Sequence, residues 1–238
     1  MNQSDYQVIV VGAGPAGCAA AFDLARAGVK VGILESRTFP RVKPCGGALT
    51  TKALRALRFS IQPVVRNVVT DFIAGRELTR EKRFHSTHPI GAMTVRRDLD
   101  QFVLEKTLDV GATIVKIERL ISIQVSDDAV KIDTDIGCFS APFVIGADGA
   151  NSTVRRLTGQ SDCFDSAFAI EAQVPCSSAC DSDAMKFDFG VVPRGYGWVF
   201  PKGDHLNVGL YTYDARFKLF PPQLKSYIKQ ILGTDDAQ

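Results

Sequence analysis

The residues best suited to chemistry in this sequence fall in two stretches close to its N-terminus. The first is Gly12-Ala13-Gly14-Pro15-Ala16-Gly17, followed by Glu35, Ser36 and Arg37. Glycines in this Gly-x-Gly-x-x-Gly spacing suit anion binding. Gly12 allows a tight turn, Gly14 lets a pyrophosphate approach the backbone, and Gly17 permits close packing of a helix on a strand. A helix that opens there points its first N–H groups at phosphate charge, and Glu35 can accept hydrogen bonds from a ribose. The second stretch is Phe39-Pro40-Arg41-Val42-Lys43-Pro44-Cys45-Gly46-Gly47. Its thiol is either a proton donor or a packing residue.

These groups need elements to hold them. Residues 7–11 are apolar and β-branched, 15–27 read as a helix with Ala19, Phe22, Leu24 and Ala25 on its buried face, and Gly28 stands where a C-cap is expected. Residues 29–34 then resume as a strand ending at Glu35, which completes a βαβ unit. A short helix is expected at 51–57. Strands at 67–74 and 77–84 should be joined in a hairpin across Gly75-Arg76. Helical spacing recurs over 97–110, with Gly111 ending it. Short strands at 113–117, 121–125, 129–134 and 143–147 suggest a β-meander returning to a central strand that ends at Asp148-Gly149. Later strands at 167–174, 185–189, 196–201 and 206–213 suit an antiparallel sheet, with Gly203-Asp204 on a hairpin turn. Residues 223–232 place Leu224, Tyr227, Ile228, Ile231 and Leu232 on one helical face.

The expected fold class is therefore α/β: a Rossmann-like βαβ domain with a β-meander, plus an antiparallel-sheet α+β substrate domain. The expected boundaries are 1–65 with 90–160 for the first, 66–89 with 161–220 for the second, and 221–238 for a C-terminal helix. The chain has 238 residues, and 28 basic against 26 acidic side chains leave a formal charge of +2, too small a bias to argue for nucleic acid. Six cysteines without a CxxC pair and three histidines give no metal-ligand spacing, so no metal is expected. Cysteines other than Cys45 read as buried hydrophobes or free thiols, and His85 and His88 receive no role. No apolar run reaches the roughly eighteen residues of a spanning helix, and no secretory signal is evident. A cytoplasmic location is expected.

The glycine motif alone does not separate FAD from NAD, but later segments carry a resemblance. Val144-Ile145-Gly146-Ala147-Asp148-Gly149, with Arg155 following, resembles the Asp-Gly segment of aromatic-hydroxylase-like flavoproteins. Arg96 and Asp100 match that group's Arg-x-x-x-Asp pattern, and otherwise form an i,i+4 helix pair. Pro40-Arg41-Val42-Lys43-Pro44-Cys45-Gly46-Gly47 and Tyr196-x-Trp198-x-Phe200-Pro201 resemble two loops of the geranylgeranyl reductase family. This likeness spans 8–213. It implies FAD held by residues 12–17, Glu35, Ser36, Arg37, Cys45, Gly46, Gly47, Arg96, Asp148 and Gly149. It further implies reduction of prenyl carbon–carbon double bonds with Cys45 as a catalytic group, and electrons from NADPH or ferredoxin. Tyr196, Trp198, Phe200 and Pro201 are the expected substrate-binding residues. Trp198 and Phe200 share a strand face that is either a tunnel wall or sheet core. Lys43 and Lys202 could receive a diphosphate head group, although solvated surface lysines are the expected reading.

The sequence also departs from that family. A later Gly-Asp segment opening a helix is missing, which suggests a shortened chain. Three alternatives stay open: a flavin monooxygenase or halogenase, a quinone-linked electron-transfer dehydrogenase, and a non-catalytic nucleotide-binding protein. A lipid substrate is compatible with peripheral membrane contact. The oligomeric state is not indicated.

Overall fold

The computed structural model describes residues 6–160, 166–176 and 183–232. Cys163 and Cys180 lie outside them. In chain order the elements begin with β1 (Val8–Val11), α1 (Pro15–Arg26), β2 (Val31–Glu35), β3 (Ala48–Thr50), α2 (Thr51–Ala56), β4 (Val65–Val69), β5 (Asp71–Arg76), β6 (Arg80–His85) and β7 (Gly91–Thr94). Next come α3 (Arg96–Asp109), β8 (Thr113–Lys116), β9 (Leu120–Val125), β10 (Val130–Thr134), β11 (Gly137–Ala141), β12 (Phe143–Gly146) and α4 (Thr153–Leu157). The chain closes with β13 (Phe168–Pro175), β14 (Ala184–Phe189), β15 (Gly195–Pro201), β16 (His205–Thr212) and α5 (Pro221–Leu232).

Two compact units result. The first comprises Met1–Val42 with Arg97–Phe164, and the second Lys43–Arg96 with Asp165–Gln238. Residues 43–65 and 90–96, expected in the first domain, fall in the second, because β7 pairs with both β3 and β4 in an antiparallel three-stranded sheet that belongs to that unit.

In the first unit a parallel sheet runs β12-β1-β2-β8. Every residue of β1 and β2 is buried, as expected for strands covered on both faces. β12 pairs only with β1, so it is an edge strand rather than the expected central one. Helix α1 buries Gly17, Cys18, Ala21 and Phe22. The expected face was rotated, since Ala19 is exposed and close packing goes through the small residues Gly17 and Cys18. Gly28 adopts φ +82° just past the helix and Gly111 φ +104° past α3, the left-handed C′ conformation that glycine takes freely. The meander β9-β10-β11 forms a separate antiparallel sheet. Its third strand, β11, follows a tight turn and was missed in the sequence, where Gly137 reads as loop.

In the second unit a six-stranded sheet runs β13-β16-β15-β14-β5-β6. It is mixed rather than wholly antiparallel, because β14 lies parallel to β5. The expected long strand 67–74 divides at Thr70, sending β4 and β5 to different sheets. The hairpin turns at Glu77 and Leu78, with φ of 51° and 60°, and not across Gly75-Arg76. One reason is visible in the glycine itself, since a Cβ on Gly75 would lie 3.0 Å from the Asp188 carboxyl carbon on the neighbouring strand. Here the glycine serves packing and not the turn.

One face of this sheet is covered by α5, whose Leu224, Tyr227 and Ile228 pack with Val174, Val208 and Leu210. Gly197 leaves the space that the Tyr227 ring fills, as a Cβ there would sit 2.5 Å from the phenol oxygen. The opposite face carries an aromatic layer. Phe187, Tyr196, Trp198, Phe200 and Tyr211 meet at ring separations of 5.0 to 6.4 Å, within the range of favourable aromatic pairs.

Candidate functional site

Two groups of residues result, one in each unit. In the first, the carboxyl ends of β12, β1 and β2 lie side by side, which is where ligands bind in parallel α/β sheets. Gly12 N–H donates to the Leu34 carbonyl at 2.8 Å, and Ala147 N–H to the Val11 carbonyl at 2.8 Å. Glycine is obligatory at position 12 because φ is +103° and a Cβ would lie 2.5 Å from the Ala147 oxygen. At Gly17 a Cβ would lie 1.9 Å from the Gly12 oxygen, so the loop and helix touch through backbone. Gly14 is different, since a Cβ there would meet only the Arg41 guanidinium, at 3.8 Å, and the space around it is otherwise open.

Glu35 is buried, and its two oxygens accept from Ala13 N–H at 2.7 Å and Arg37 N–H at 2.6 Å. The carboxylate thus braces the glycine loop while each oxygen retains a further lone pair. Asp148 is committed differently. It accepts from the Ser152 hydroxyl at 2.5 Å and from Thr153 and Val154 N–H at 2.6 and 3.1 Å, which caps α4 and leaves the exposed Gly149 at φ +88° on the turn. Ser36 and Arg37 are exposed beside Glu35. Arg96, half-buried at the start of α3, falls in the second unit and not in this group.

Sequence reading did not single out Arg41 for this group. Its guanidinium stacks over Phe39 at 4.9 Å and meets the fully buried Asp100 carboxylate at 2.9 Å, which holds a cation beside Gly14. An arginine in a Pro-rich loop has no periodic signal, so only its buried partner betrays it. Removing one member of a buried pair strands the other charge. Asp100→Asn should therefore lower unfolding stability by about 3 kcal/mol, measured by denaturant titration. Cys18, buried beneath the loop, donates to the Ala13 carbonyl at 3.3 Å, and burial pushes its thiol up to about 11, which leaves it unreactive near neutrality.

The second group surrounds Cys45. Its side chain is exposed, but the backbone of its loop is held at several points. Cys45 N–H donates to Glu171 Oε1 at 2.8 Å, the Lys202 ammonium donates to the Gly46 carbonyl at 2.5 Å, and Thr94 donates to the Gly47 carbonyl from its N–H at 2.8 Å and its hydroxyl at 3.0 Å. Gly47 N–H faces Cys45 Sγ at 3.5 Å. Gly46 lies against the aromatic layer, where a Cβ would meet the Phe200 ring at 2.7 Å and Trp198 Nε1 at 3.2 Å. Both aromatic side chains are buried, and Trp198 Nε1–H is satisfied by Asn207 Oδ1 at 2.7 Å. Pro201 is also buried, while Tyr196 is half-buried and stacks on Tyr211 at 5.0 Å.

Lys202 corrects the expectation of a solvated surface lysine. It is only 3% exposed, with its ammonium 3.7 Å from Met93 Sδ and 5.8 Å from the Phe200 ring centre. Lys43 is exposed. Burial pushes the Lys202 ammonium down to about 8, opposed by the nearby Cys45 and Glu171. Between about pH 8 and the ordinary lysine value of 10.5 the unfolded chain holds the extra proton, so the folded state gains stability as pH rises through that window. The gain should be on the order of 3 kcal/mol at most, and Lys202→Met should abolish it when denaturation midpoints are compared at the two ends of the window.

Among the described residues no group of three or more His, Cys, Asp or Glu side chains could hold a metal ion. No helix among them is long and apolar enough to cross a membrane. His85 pairs with Asp71 at 2.7 Å, which Arg83 also contacts, on the exposed edge strand β6.

Comparison with known proteins gives a consistent picture. The FAD binding domain family matches residues 5–186, and the geranylgeranyl reductase catalytic domain matches residues 165–237. An uncharacterized protein of Methanosarcina barkeri is 32% identical over 97% of this chain and 60% of its own length. Geranylgeranyl diphosphate reductase of Rhodobacter capsulatus is 32% identical over 87% of this chain and 54% of its own, and menaquinone reductase of Mycobacterium tuberculosis 30% identical over 85% and 54%. The chain thus spans little more than half the length of these relatives. In fold it is similar to a geranylgeranyl bacteriochlorophyll reductase-like protein of Thermoplasma acidophilum, with a TM-score of 0.85 at 24% identity over 99% of this chain and 64% of that one. It is also similar to the halogenase PltM in complex with phloroglucinol and FAD, with a TM-score of 0.76 at 20% identity over 94% and 56%.

Proposed function

Because the chain belongs to the FAD-binding flavoproteins of geranylgeranyl reductase type, we propose that it is the FAD-dependent part of a reductase that saturates carbon–carbon double bonds in prenyl chains. The observation that carries this reading is the Cys45-Gly46-Gly47 loop, seated through Gly46 on Trp198 and Phe200 of the Tyr196-x-Trp198-x-Phe200-Pro201 strand. Two motifs far apart in sequence meet in one unit.

The residues of the first unit fit FAD. Gly12 and Gly17 bring the loop backbone against the sheet, open space over Gly14 suits a pyrophosphate, and Arg41 and the α1 N-terminus favour its charge. The free lone pairs of Glu35 suit a ribose hydroxyl. Ala13, Pro15, Ala16, Ser36, Arg37, Asp148 and Gly149 belong to the proposed cofactor set in this unit, and Cys45, Gly46, Gly47 and Arg96 to it in the second. Reduced FAD, when bound, supplies a hydride equivalent to one alkene carbon. Cys45 holds the proton that goes to the neighbouring carbon, so the double bond gains two hydrogens in total. Tyr196, Trp198, Phe200 and Pro201 present an apolar surface suited to a prenyl chain. NADPH or ferredoxin is the proposed electron source.

The test begins with the purified chain, loaded with FAD and reduced under strict anaerobiosis with dithionite. Geranylgeranyl diphosphate and a geranylgeranylated glycerophospholipid are then supplied, and products are read by mass spectrometry. A gain of two hydrogens per reduced bond without dioxygen is the expected result. Conversion that requires dioxygen and adds oxygen or halogen to the product would point to the monooxygenase or halogenase reading. A colourless chain that FAD cannot reconstitute would overturn the enzyme reading for this chain by itself.

A further inference from the structure

The proposed role of Cys45 leaves open what holds its thiol in place and sets its readiness to release a proton. Residues 42–45 are exposed and two glycines follow, so left alone the loop would sample many conformations. Two ionisable side chains, one on a strand of the six-stranded sheet and one on the turn just past another, nevertheless grip the backbone of two consecutive residues. Glu171 on β13 takes the Cys45 N–H, and Lys202, just past β15, takes the Gly46 carbonyl. Their placement follows from strand register. Glu171 lies opposite Gly209 of β16, which in turn lies opposite Trp198 of β15, so the three residues share one face. Gly209 has no side chain to fill that row, and a Cβ on it would lie 2.1 Å from the Trp198 ring. The row therefore runs from the carboxylate, over the indole, toward the loop.

Resting on the reading of Cys45 as proton donor, we propose that Lys202 and Glu171 are positioning residues of opposite sign. They fix the Cys45-Gly46-Gly47 backbone between them and bias the charge on the Cys45 thiol in opposing directions. An ordinary structural clamp has no need of a buried charge, because a neutral donor satisfies a carbonyl at lower desolvation cost. Lys202 is buried as an ammonium, against a carbonyl, a thioether and an aromatic ring. Burial lowers its value to about 8, and the nearby Cys45 and Glu171 act against that lowering. A cation beside a thiol favours the thiolate, and a carboxylate disfavours it.

The experiment reads the sign directly. FAD-loaded parent, Lys202→Met and Glu171→Gln proteins are alkylated with iodoacetamide at one fixed near-neutral pH, and modification of Cys45 is followed by site-resolved mass spectrometry. Lys202→Met should slow alkylation of Cys45 by about threefold or more, and Glu171→Gln, which keeps an acceptor for the Cys45 N–H, should accelerate it by a similar factor. Trp198 is the chain's single tryptophan, so its emission reports whether Gly46 remains seated. Unchanged rates in both variants, or a change of the same direction in both, would overturn the proposal, since a loosened loop affects both alike. If Lys202→Met does not fold, Glu171→Gln decides alone: acceleration with unaltered Trp198 emission supports the idea, and an equal or slower rate defeats it. Alkylation does not depend on turnover. Signed rates alongside full activity of a Cys45→Ser enzyme would therefore leave the clamp standing while removing the catalytic role of Cys45.

Discussion

Gly17→Val should yield a chain that no longer retains FAD. The valine Cβ would have to occupy a point 1.9 Å from the Gly12 carbonyl oxygen and 3.0 Å from its carbon, and both are backbone atoms without a rotamer to yield. Either α1 moves off the sheet or the glycine loop is pushed outward. Both outcomes displace the Gly14 backbone and the helix N-terminus on which phosphate binding rests. Overpacking of this kind costs about 3 kcal/mol, which corresponds to roughly a hundredfold weaker FAD affinity if the strain is relieved in the loop. The measurement is flavin retained after gel filtration, with titration of the apoprotein by FAD. Gly111→Ala is the informative control. No atom lies within 4 Å of a Cβ there and the residue stands outside the proposed cofactor set, so its cost arises only from the positive φ and should leave FAD affinity unchanged. Equal FAD affinity in the Gly17→Val and parent proteins would mean that the cofactor is not held by this loop.

Cys45→Ser should keep FAD and lose the reaction. The loop is held by its backbone, through Glu171, Lys202 and Thr94, so exchanging sulfur for oxygen leaves those bonds in place. What changes is acidity, because an alcohol is a far weaker acid than a thiol. Removing a general acid typically reduces turnover by about 10²- to 10⁴-fold. The visible flavin spectrum and the Trp198 emission should match those of the parent, while product formation under single-turnover anaerobic conditions falls within that range. A serine variant within about threefold of the parent rate would show that the proton comes from another group or from solvent.

Much of the first unit was legible because its signals are local. A β-branched run, a glycine-punctuated turn, a helix and a second apolar run ending at Glu35 occupy consecutive residues, and each is recognisable from its neighbours along the chain. The ends of α1 and α3 were equally plain, since Gly28 and Gly111 supply the left-handed residue that closes a helix. Errors arose where one local pattern serves two purposes. Gly75 reads as a turn glycine but lies inside β5, where it makes room for Asp188, whereas the real turn uses Glu77 and Leu78, whose types do not announce a positive φ. Short strands such as β3 and β7 carry too few residues to show alternation, and they exist because they pair with one another.

The sequence by itself determined the βαβ unit, the cofactor motif and the two stretches around Cys45 and Trp198, because spacing along the chain is enough to recognise them. Only the tertiary structure decided how the second unit uses them. It seats Gly46 on Trp198 and Phe200, turns Glu171 toward the Cys45 N–H, and buries Lys202 beneath the Gly46 carbonyl. It likewise set Asp100 against Arg41 beside Gly14. The contacts around Cys45 follow from strand register and sheet order, which bring together residues more than a hundred positions apart, and the Arg41–Asp100 pair follows from how the loop after β2 meets α3; no pattern of neighbouring side chains encodes such pairings.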